Sequence, residues 1–400
     1  MLAAYIYDGR RTPFGRHAGA ISKVRPDDLL AGVMKAAVAS SGFAPSAIDD
    51  VAIGCTNQAG EDARNVARHG LLLAGLPIET PGMVHNRLCG SGLNALIGSA
   101  HAISCGEADV AIVGGVESMS RAPFVMAKSE TPFQRDYRMF DSTIGARFPN
   151  PRIEKEFGSD TMPETSDNLA RDLQISRADC DAFAHGSQQK YAHAKGQGFF
   201  KGEIEPVTLK GAKGKPDIVV AEDEHPRPQV SMAELEKLRP LFEGGVTTAG
   251  NASGINDGAA ALILASRDAG DRAGRKPIAR VIATGVAGVA PRIMGFGPVP
   301  ASLKALERAG LTITDMDIIE INEAFAAQVL GCLKGLGVAF DDRRVNPNGG
   351  AIAVGHPLGA SGARLALSTA RHLQQSGGRY ALVSMCIGVG QGIAVVLERV

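Results

Sequence analysis

The chain has 400 residues, enough to bury a large core and to divide into more than one domain. Lysine plus arginine and aspartate plus glutamate balance at 42 each, so the one-signed field that nucleic acid or an acidic membrane would need is absent. Tryptophan is missing and tyrosine scarce, which argues against base-stacking platforms.

Residues 1–8 read as a strand entering a turn, without the basic-then-apolar order of a signal peptide. No apolar run reaches membrane-spanning length. Six cysteines are scattered with no CxxC spacing, so neither a disulfide framework nor a zinc site is expected, and a reducing cytoplasm is the expected location. Residues 41–54 end a helix at glycine, pass an acidic turn and enter an apolar strand. The same order recurs without gaps at residues 309–322, an offset of 268 (309 − 41). A second pair follows in the same order. Gly90-Ser91-Gly92 opens a helical run to Cys105, then an apolar strand ending at Gly114-Gly115. Gly359-Ala360-Ser361-Gly362 opens another, then Tyr380-Ala381-Leu382-Val383 runs toward Cys386. Two ordered pairs argue for two similar α/β halves. Their strands are apolar on both faces, as in a sheet covered by helices on both sides.

Between the halves the texture changes. Residues 121–250 are polar and irregular, with a helical patch at 177–194, and read as a lid or substrate-binding excursion from the first half. The expected division is 1–120 plus 251–270, then 121–250, then 271–400.

Three turns carry chemistry. Cys89 precedes Gly-Ser-Gly at the start of a helix, where the dipole and free N–H groups are expected to lower a thiol pKa and to hold an oxyanion. The plainer reading is a small buried cysteine beside a tight turn. His356 lies between Gly355 and Pro357, ahead of the second glycine-opened helix, where a neutral imidazole can take the Cys89 proton; the plainer reading is a hydrogen-bonded loop histidine. Cys386 ends an apolar strand before Gly388-Val389-Gly390-Gln391-Gly392, either as a second proton-transfer group or as packing. That run lacks the third glycine of a dinucleotide fingerprint, Ile393 standing in its place, which argues against a nicotinamide site. Asn322, in Asn322-Glu323-Ala324-Phe325, either holds a water or carbonyl or simply closes a turn.

Taken together, these motifs resemble the thiolase family along the whole chain, from Arg11-Thr12-Pro13-Phe14-Gly15 to Val400. The resemblance implies a layered α/β/α/β/α fold of two similar halves with an inserted loop domain, a dimer or tetramer, and coenzyme A thioester substrates with no permanently bound cofactor or metal. It makes Cys89 the acylated nucleophile, His356 its base and Cys386 the group that moves the α-carbon proton. Asn322 anchors an oxyanion-hole water, and the N–H groups of Cys89 and Gly388 form a second hole. Ser253 matches a serine along the pantetheine arm, Met162 and Phe325 belong to the acyl and CoA contacts, and Arg227 matches an adenine-side contact. The stretches 138–145, 147–151 and 385–390 resemble β-ketoadipyl-CoA thiolases, although many thiolases carry glycine where this chain has Val389. Arg135, Arg138, Arg147 and Arg152 are candidates for binding a distal substrate carboxylate. A fatty or acetoacetyl-CoA thiolase, a decarboxylating ketoacyl synthase and a non-catalytic acyl-CoA carrier are the rivals; the second cysteine argues against the synthase, and both cysteines against the carrier.

Overall fold

The computed structural model describes residues 2–400. The first half runs β1 (Ala4–Arg11), the short β2 (Gly15–Arg16), α1 (Pro26–Ser41), β3 (Asp50–Gly54), α2 (Val66–Leu73), β4 (Gly82–His85), α3 (Ser91–Cys105) and β5 (Val110–Ser118). The excursion holds β6 (Phe124–Met126), β7 (Met139–Asp141), α4 (Pro151–Phe157), α5 (Met162–Leu173), α6 (Arg177–Gly196), β8 (Val207–Leu209), β9 (Ile218–Val220) and α7 (Met232–Glu236). The chain returns through β10 (Asn256–Ala265) and α8 (Arg267–Arg272). The second half is β11 (Ala279–Gly288), α9 (Pro298–Ala309), β12 (Ile318–Ile321), α10 (Ala326–Leu336), α11 (Ala351–Val354), α12 (Leu358–Ser376), β13 (Tyr380–Ile387) and β14 (Gln391–Arg399).

The internal repeat has a backbone cause. α1 and α9 both stop at a glycine in the left-handed region, Gly42 at φ 77° and Gly310 at φ 68°, where a side chain would be strained. Each stop leads through a short 3₁₀ turn into a parallel-paired strand, β3 beside β5 and β12 beside β13. One sequence expectation is corrected. β5 does not end at Gly114-Gly115 but pairs with β10 through Ser118. The glycines thin the strand instead: a Cβ on Gly115 would stand 1.8 Å from the Gly359 carbonyl oxygen.

Strand order is β12-β13-β14-β11-β1-β10-β5-β3-β4, with β2 beside β10. The sheets of the two halves are therefore one sheet, joined where Ala4, Tyr5 and Ile6 pair with Val281, Arg280 and Ala279. Folded over, it encloses α3 and α12. Leu93 and Leu96 of α3 and Leu365 and Leu367 of α12 share one core with Val113, Leu262, Val383 and Val395. α1 and α2 cover the outer face of the first half through Leu30, Met34 and Leu71, and α9 and α10 cover the other through Leu306, Leu330 and Leu333. The result is five layers with two helices in the middle. Those helices cross closely because a Cβ on Gly92 would lie 2.5 Å from the Gly359 oxygen. Arg11, fully buried, ties β1 to the excursion through Glu203 and Asp223, each at 2.6 Å. Removing Arg11 would leave two buried carboxylates without their shared cation.

Candidate active site

The two central helices begin at the two chemistry-bearing turns. Between β4 and α3, Leu88 holds φ 47°, a left-handed conformation that costs a non-glycine residue about 1–2 kcal/mol. Ser91 pins it: its Oγ accepts from the Arg87 N–H at 2.9 Å and donates to the Leu88 carbonyl at 2.5 Å. Cys89 follows, half-buried, two residues ahead of the helix. The turn carrying His356 is held by Asn256 at the head of β10. Asn256 Oδ1 accepts the His356 N–H at 2.9 Å, while its Nδ2 donates to the Gly15 carbonyl at 2.9 Å. The Asn256 amide fills the space beside Gly355, where a Cβ would meet it at 2.4 Å.

His356 is 5% exposed. Its Nδ1 lies 2.6 Å from Ser361 Oγ, and its Nε2 lies 3.4 Å from Asn322 Nδ2. Burial, with the Arg364 charge as a second cause, depresses the imidazole to about 3, so the ring is neutral at physiological pH. Asn322 leaves the end of β12 with its N–H donated to the Ser384 carbonyl at 2.9 Å; its buried Oδ1 has no protein partner. Cys386, 1% exposed in β13, sits with Met294, Ala324 and Phe325. Burial holds its thiol well above the usual range, and Cys89 is the next contributor, which puts the two sulfurs within electrostatic reach.

Gly388 heads the turn joining β13 to β14. Its N–H and that of Cys89 both act to lower the Cys89 thiol pKa, which puts the two amides beside the sulfur. From the position a Gly388 Cβ would take, Leu88 Cδ1 is 3.3 Å away and Met162 Sδ 3.7 Å, so Met162, at the head of α5, lies beside the nucleophile turn. Ser253 donates its N–H to the Ala324 carbonyl at 2.9 Å, and Ala252 bridges to Phe325, which brings both onto the Cys386 side. Arg227 stays on the surface; its backbone N–H donates to Gln188 Oε1 at 2.8 Å. Arg135, Arg138 and Arg152 are exposed, whereas Arg147 is half-buried and its charge reaches Asp62.

The expected low thiol pKa of Cys89 is corrected. Burial pushes it up to about 11, and the two backbone N–H groups offset only part of this. The resting sulfur is a thiol, so attack needs a base that takes its proton as the bond forms.

The sequence reading missed several residues that hold this geometry. Glu117 accepts from Thr56 N at 3.0 Å and Oγ1 at 2.8 Å, Asn57 N at 3.1 Å and Gly359 N at 3.0 Å, fastening the start of α12 to the first half. Glu323 accepts from Ser187 Oγ at 2.6 Å, Asn346 Nδ2 at 2.9 Å and Ile352 N at 3.0 Å, fixing the loop that carries Asn322. For Glu117 the available signal was an acid inside an otherwise apolar strand, since unpaired acids are almost never fully buried. Asn256 and Ser361 gave no comparable signal.

Two near-copies of an α/β unit enclosing paired cysteines and an imidazole define a thiol-dependent acyl-transfer fold. Residues 4–268 match the thiolase N-terminal domain and residues 275–399 the thiolase C-terminal domain. The chain belongs to the thiolase family. It is 57% identical to the 3-oxoadipyl-CoA/3-oxo-5,6-dehydrosuberyl-CoA thiolase of Escherichia coli K12, over 100% of both chains. It is 56% identical to the β-ketoadipyl-CoA thiolase of Pseudomonas aeruginosa, over 99% of each, and 42% identical to a mitochondrial 3-ketoacyl-CoA thiolase of Bos taurus, over 100% of this chain and 99% of that one. Among solved structures, Bacillus anthracis acetyl-CoA acetyltransferase superposes with a TM-score of 0.93 at 35% identity, covering 100% of this chain and 99% of that one. Human mitochondrial 3-ketoacyl-CoA thiolase in complex with CoA gives 0.92 at 40%, covering 100% and 98%.

Proposed function

We propose that the protein cleaves 3-oxoadipyl-CoA with coenzyme A, giving acetyl-CoA and succinyl-CoA. The chemistry is supported by a Cys386 within electrostatic reach of Cys89, by a neutral His356 beside Asn322, and by the close crossing, at Gly92 and Gly359, of the helices that follow the Cys89 and His356 turns. The substrate is supported by full-length identities of 54–57% to several β-ketoadipyl-CoA thiolases, against 42% to the bovine 3-ketoacyl-CoA enzyme.

In the first half-reaction His356 Nε2 takes the Cys89 proton as the sulfur attacks the 3-keto carbon. The oxyanion is met by the N–H groups of Cys89 and Gly388. The C2–C3 bond then breaks, its electron pair goes to the α-carbon, and Cys386 supplies the proton that makes acetyl-CoA. In the second half-reaction a CoA thiol attacks the acyl group on Cys89. Cys386 takes the proton of that thiol, the oxyanion is again met by the N–H groups of Cys89 and Gly388, and succinyl-CoA leaves as His356 returns its proton to Cys89. In the first half-reaction the thioester oxygen of the departing acetyl unit is held by the protonated His356 and by a water on Asn322. The CoA thioester carbonyl stabilises the α-carbanion as an enolate, so the chemistry calls for no permanently bound cofactor or metal. Met162 and Phe325 line the acyl and pantetheine path, Ser253 runs along the pantetheine arm, and Arg227 reaches the adenine end. Among the described residues no helix is long and apolar enough to cross a membrane. A cytoplasmic homo-oligomer, dimer or tetramer, is part of this proposal.

The test is a thiolysis panel of 3-oxoadipyl-CoA, acetoacetyl-CoA and a long-chain 3-oxoacyl-CoA. The proposal expects the highest kcat/KM for the dicarboxylic substrate. A higher value for the long chain would assign the protein to general fatty-acid breakdown instead.

A further inference from the structure

The Ser361 hydroxyl, fully buried in the first turn of α12, stands between two groups. On one side is the Pro357 carbonyl oxygen at 2.9 Å, which can only accept. On the other is His356 Nδ1 at 2.6 Å. A hydroxyl has one proton. Directed at Nδ1, it would leave two oxygens facing each other at 2.9 Å with no hydrogen between them. Directed at Pro357, it turns an oxygen lone pair toward the ring, and Nδ1 must donate. The opposite edge of the imidazole agrees. Asn322 Nδ2, a donor only, lies 3.4 Å from Nε2, which therefore presents its lone pair.

We propose that Ser361 is a positioning residue that holds His356 with its proton on Nδ1 and so makes Nε2 the base that faces Cys89. This deepens the role given to His356 above and rests on it. The hydroxyl touches neither substrate nor sulfur. It acts by relaying the fixed polarity of a backbone carbonyl to the ring, as a buried carboxylate does in other nucleophile–histidine pairs. With the relay removed, either nitrogen can carry the proton, and molecules with Nε2–H cannot accept one from Cys89.

Two-bond ¹H–¹⁵N spectra of the full-length enzyme labelled with ¹⁵N-histidine read the tautomer, with His356 assigned by its loss in His356→Gln. The wild type should show a protonated Nδ1 and a bare Nε2. In Ser361→Ala that preference should vanish, whereas Ser361→Thr, which keeps a hydroxyl, should retain it. Thiolysis by Ser361→Ala should lose about 10- to 100-fold in kcat, within the roughly 10²–10⁴ that a positioned base supplies, with KM changed less than about twofold. Where Ser361→Ala does not fold, Ser361→Cys takes its place, because a thiol is a weak acceptor. A wild-type spectrum with the proton on Nε2 overturns the proposal without any variant, since it means the Asn322 amide is reversed and accepts from the ring. Normal kcat in Ser361→Ala also overturns it. His356→Gln separates this from the parent reading: a fully active His356→Gln refutes the base, whereas an inactive one beside an unaffected Ser361→Ala refutes only the relay.

Discussion

Burying His356 uncharged makes the fold sensitive to acid in a way that one substitution isolates. The unfolded chain titrates this imidazole near 6.5, and the native one at about 3. Between those values the unfolded state binds a proton that the native state does not, so stability rises with pH across the window and is lost as pH falls below 6.5. At about 1.4 kcal/mol per pH unit, the interval from 6.5 to about 3 corresponds to about 5 kcal/mol, most of which is lost by pH 3. At pH 5 the loss is about 2 kcal/mol, a large part of the 5–15 kcal/mol typical of a folded protein. Urea unfolding of wild type and His356→Gln at pH 7, 6, 5 and 4.5 reads this directly. The absolute stabilities will differ, but the glutamine variant should lose about 2 kcal/mol less between pH 7 and pH 5. His85, His225 and His372 are also depressed by burial, and they are present in both proteins, so their share cancels. Parallel stability curves would refute the reasoning, because they require an imidazole that is charged or solvated in the native site.

Three other outcomes are expected. Cys386→Ala should still be acetylated by acetyl-CoA yet lose carbon–carbon cleavage by roughly 10²–10⁴, the usual worth of a proton-transfer group; near-normal thiolysis would remove Cys386 from the reaction. Brief iodoacetamide treatment should label Cys89 and the exposed Cys105, while the four buried cysteines stay slow, and His356→Gln should slow Cys89 alone; equal slowing of both by mass mapping would mean the imidazole does not serve Cys89. Of the four candidate arginines only Arg147 is half-buried, so Arg147→Gln should weaken 3-oxoadipyl-CoA thiolysis by about tenfold and leave acetoacetyl-CoA turnover unchanged; equal effects on both substrates would exclude a contact to the distal carboxylate.

What could be read from the sequence was what local chemistry enforces. Gly42 and Gly310 announced the repeat because a left-handed helix stop restricts residue choice. The turns at Cys89, His356 and Cys386 were visible because glycine clusters around a reactive side chain are uncommon. What escaped detection depends on distance in the chain. The pairing of β1 with β11 joins residues some 270 positions apart and leaves no local pattern. The raised pKa of Cys89 comes from burial by segments that meet only in the folded state, and it outweighs the helix-end effect that the sequence advertised. Ser361 is an ordinary small residue near a helix start, and nothing in its neighbours shows that its oxygen meets an imidazole. The four arginines looked alike in sequence, and only tertiary packing set Arg147 apart.

The middle layer ties the two copies together permanently. α12 is buried along nearly its whole length, one flank against the strands of its own half and the other against α3 and the opposite strands. A fragment ending near residue 270 would keep α3 but strip away its cover, exposing Leu93, Leu96 and Ile97 beside a bare sheet face. It would also lack the turn ahead of α12 that carries the imidazole. Neither copy can therefore be produced as a soluble, self-standing unit, and the amides of α3 and α12 should exchange with solvent only when the whole molecule opens. In the proposed reaction, the reacting groups sit at the seam between the duplicates.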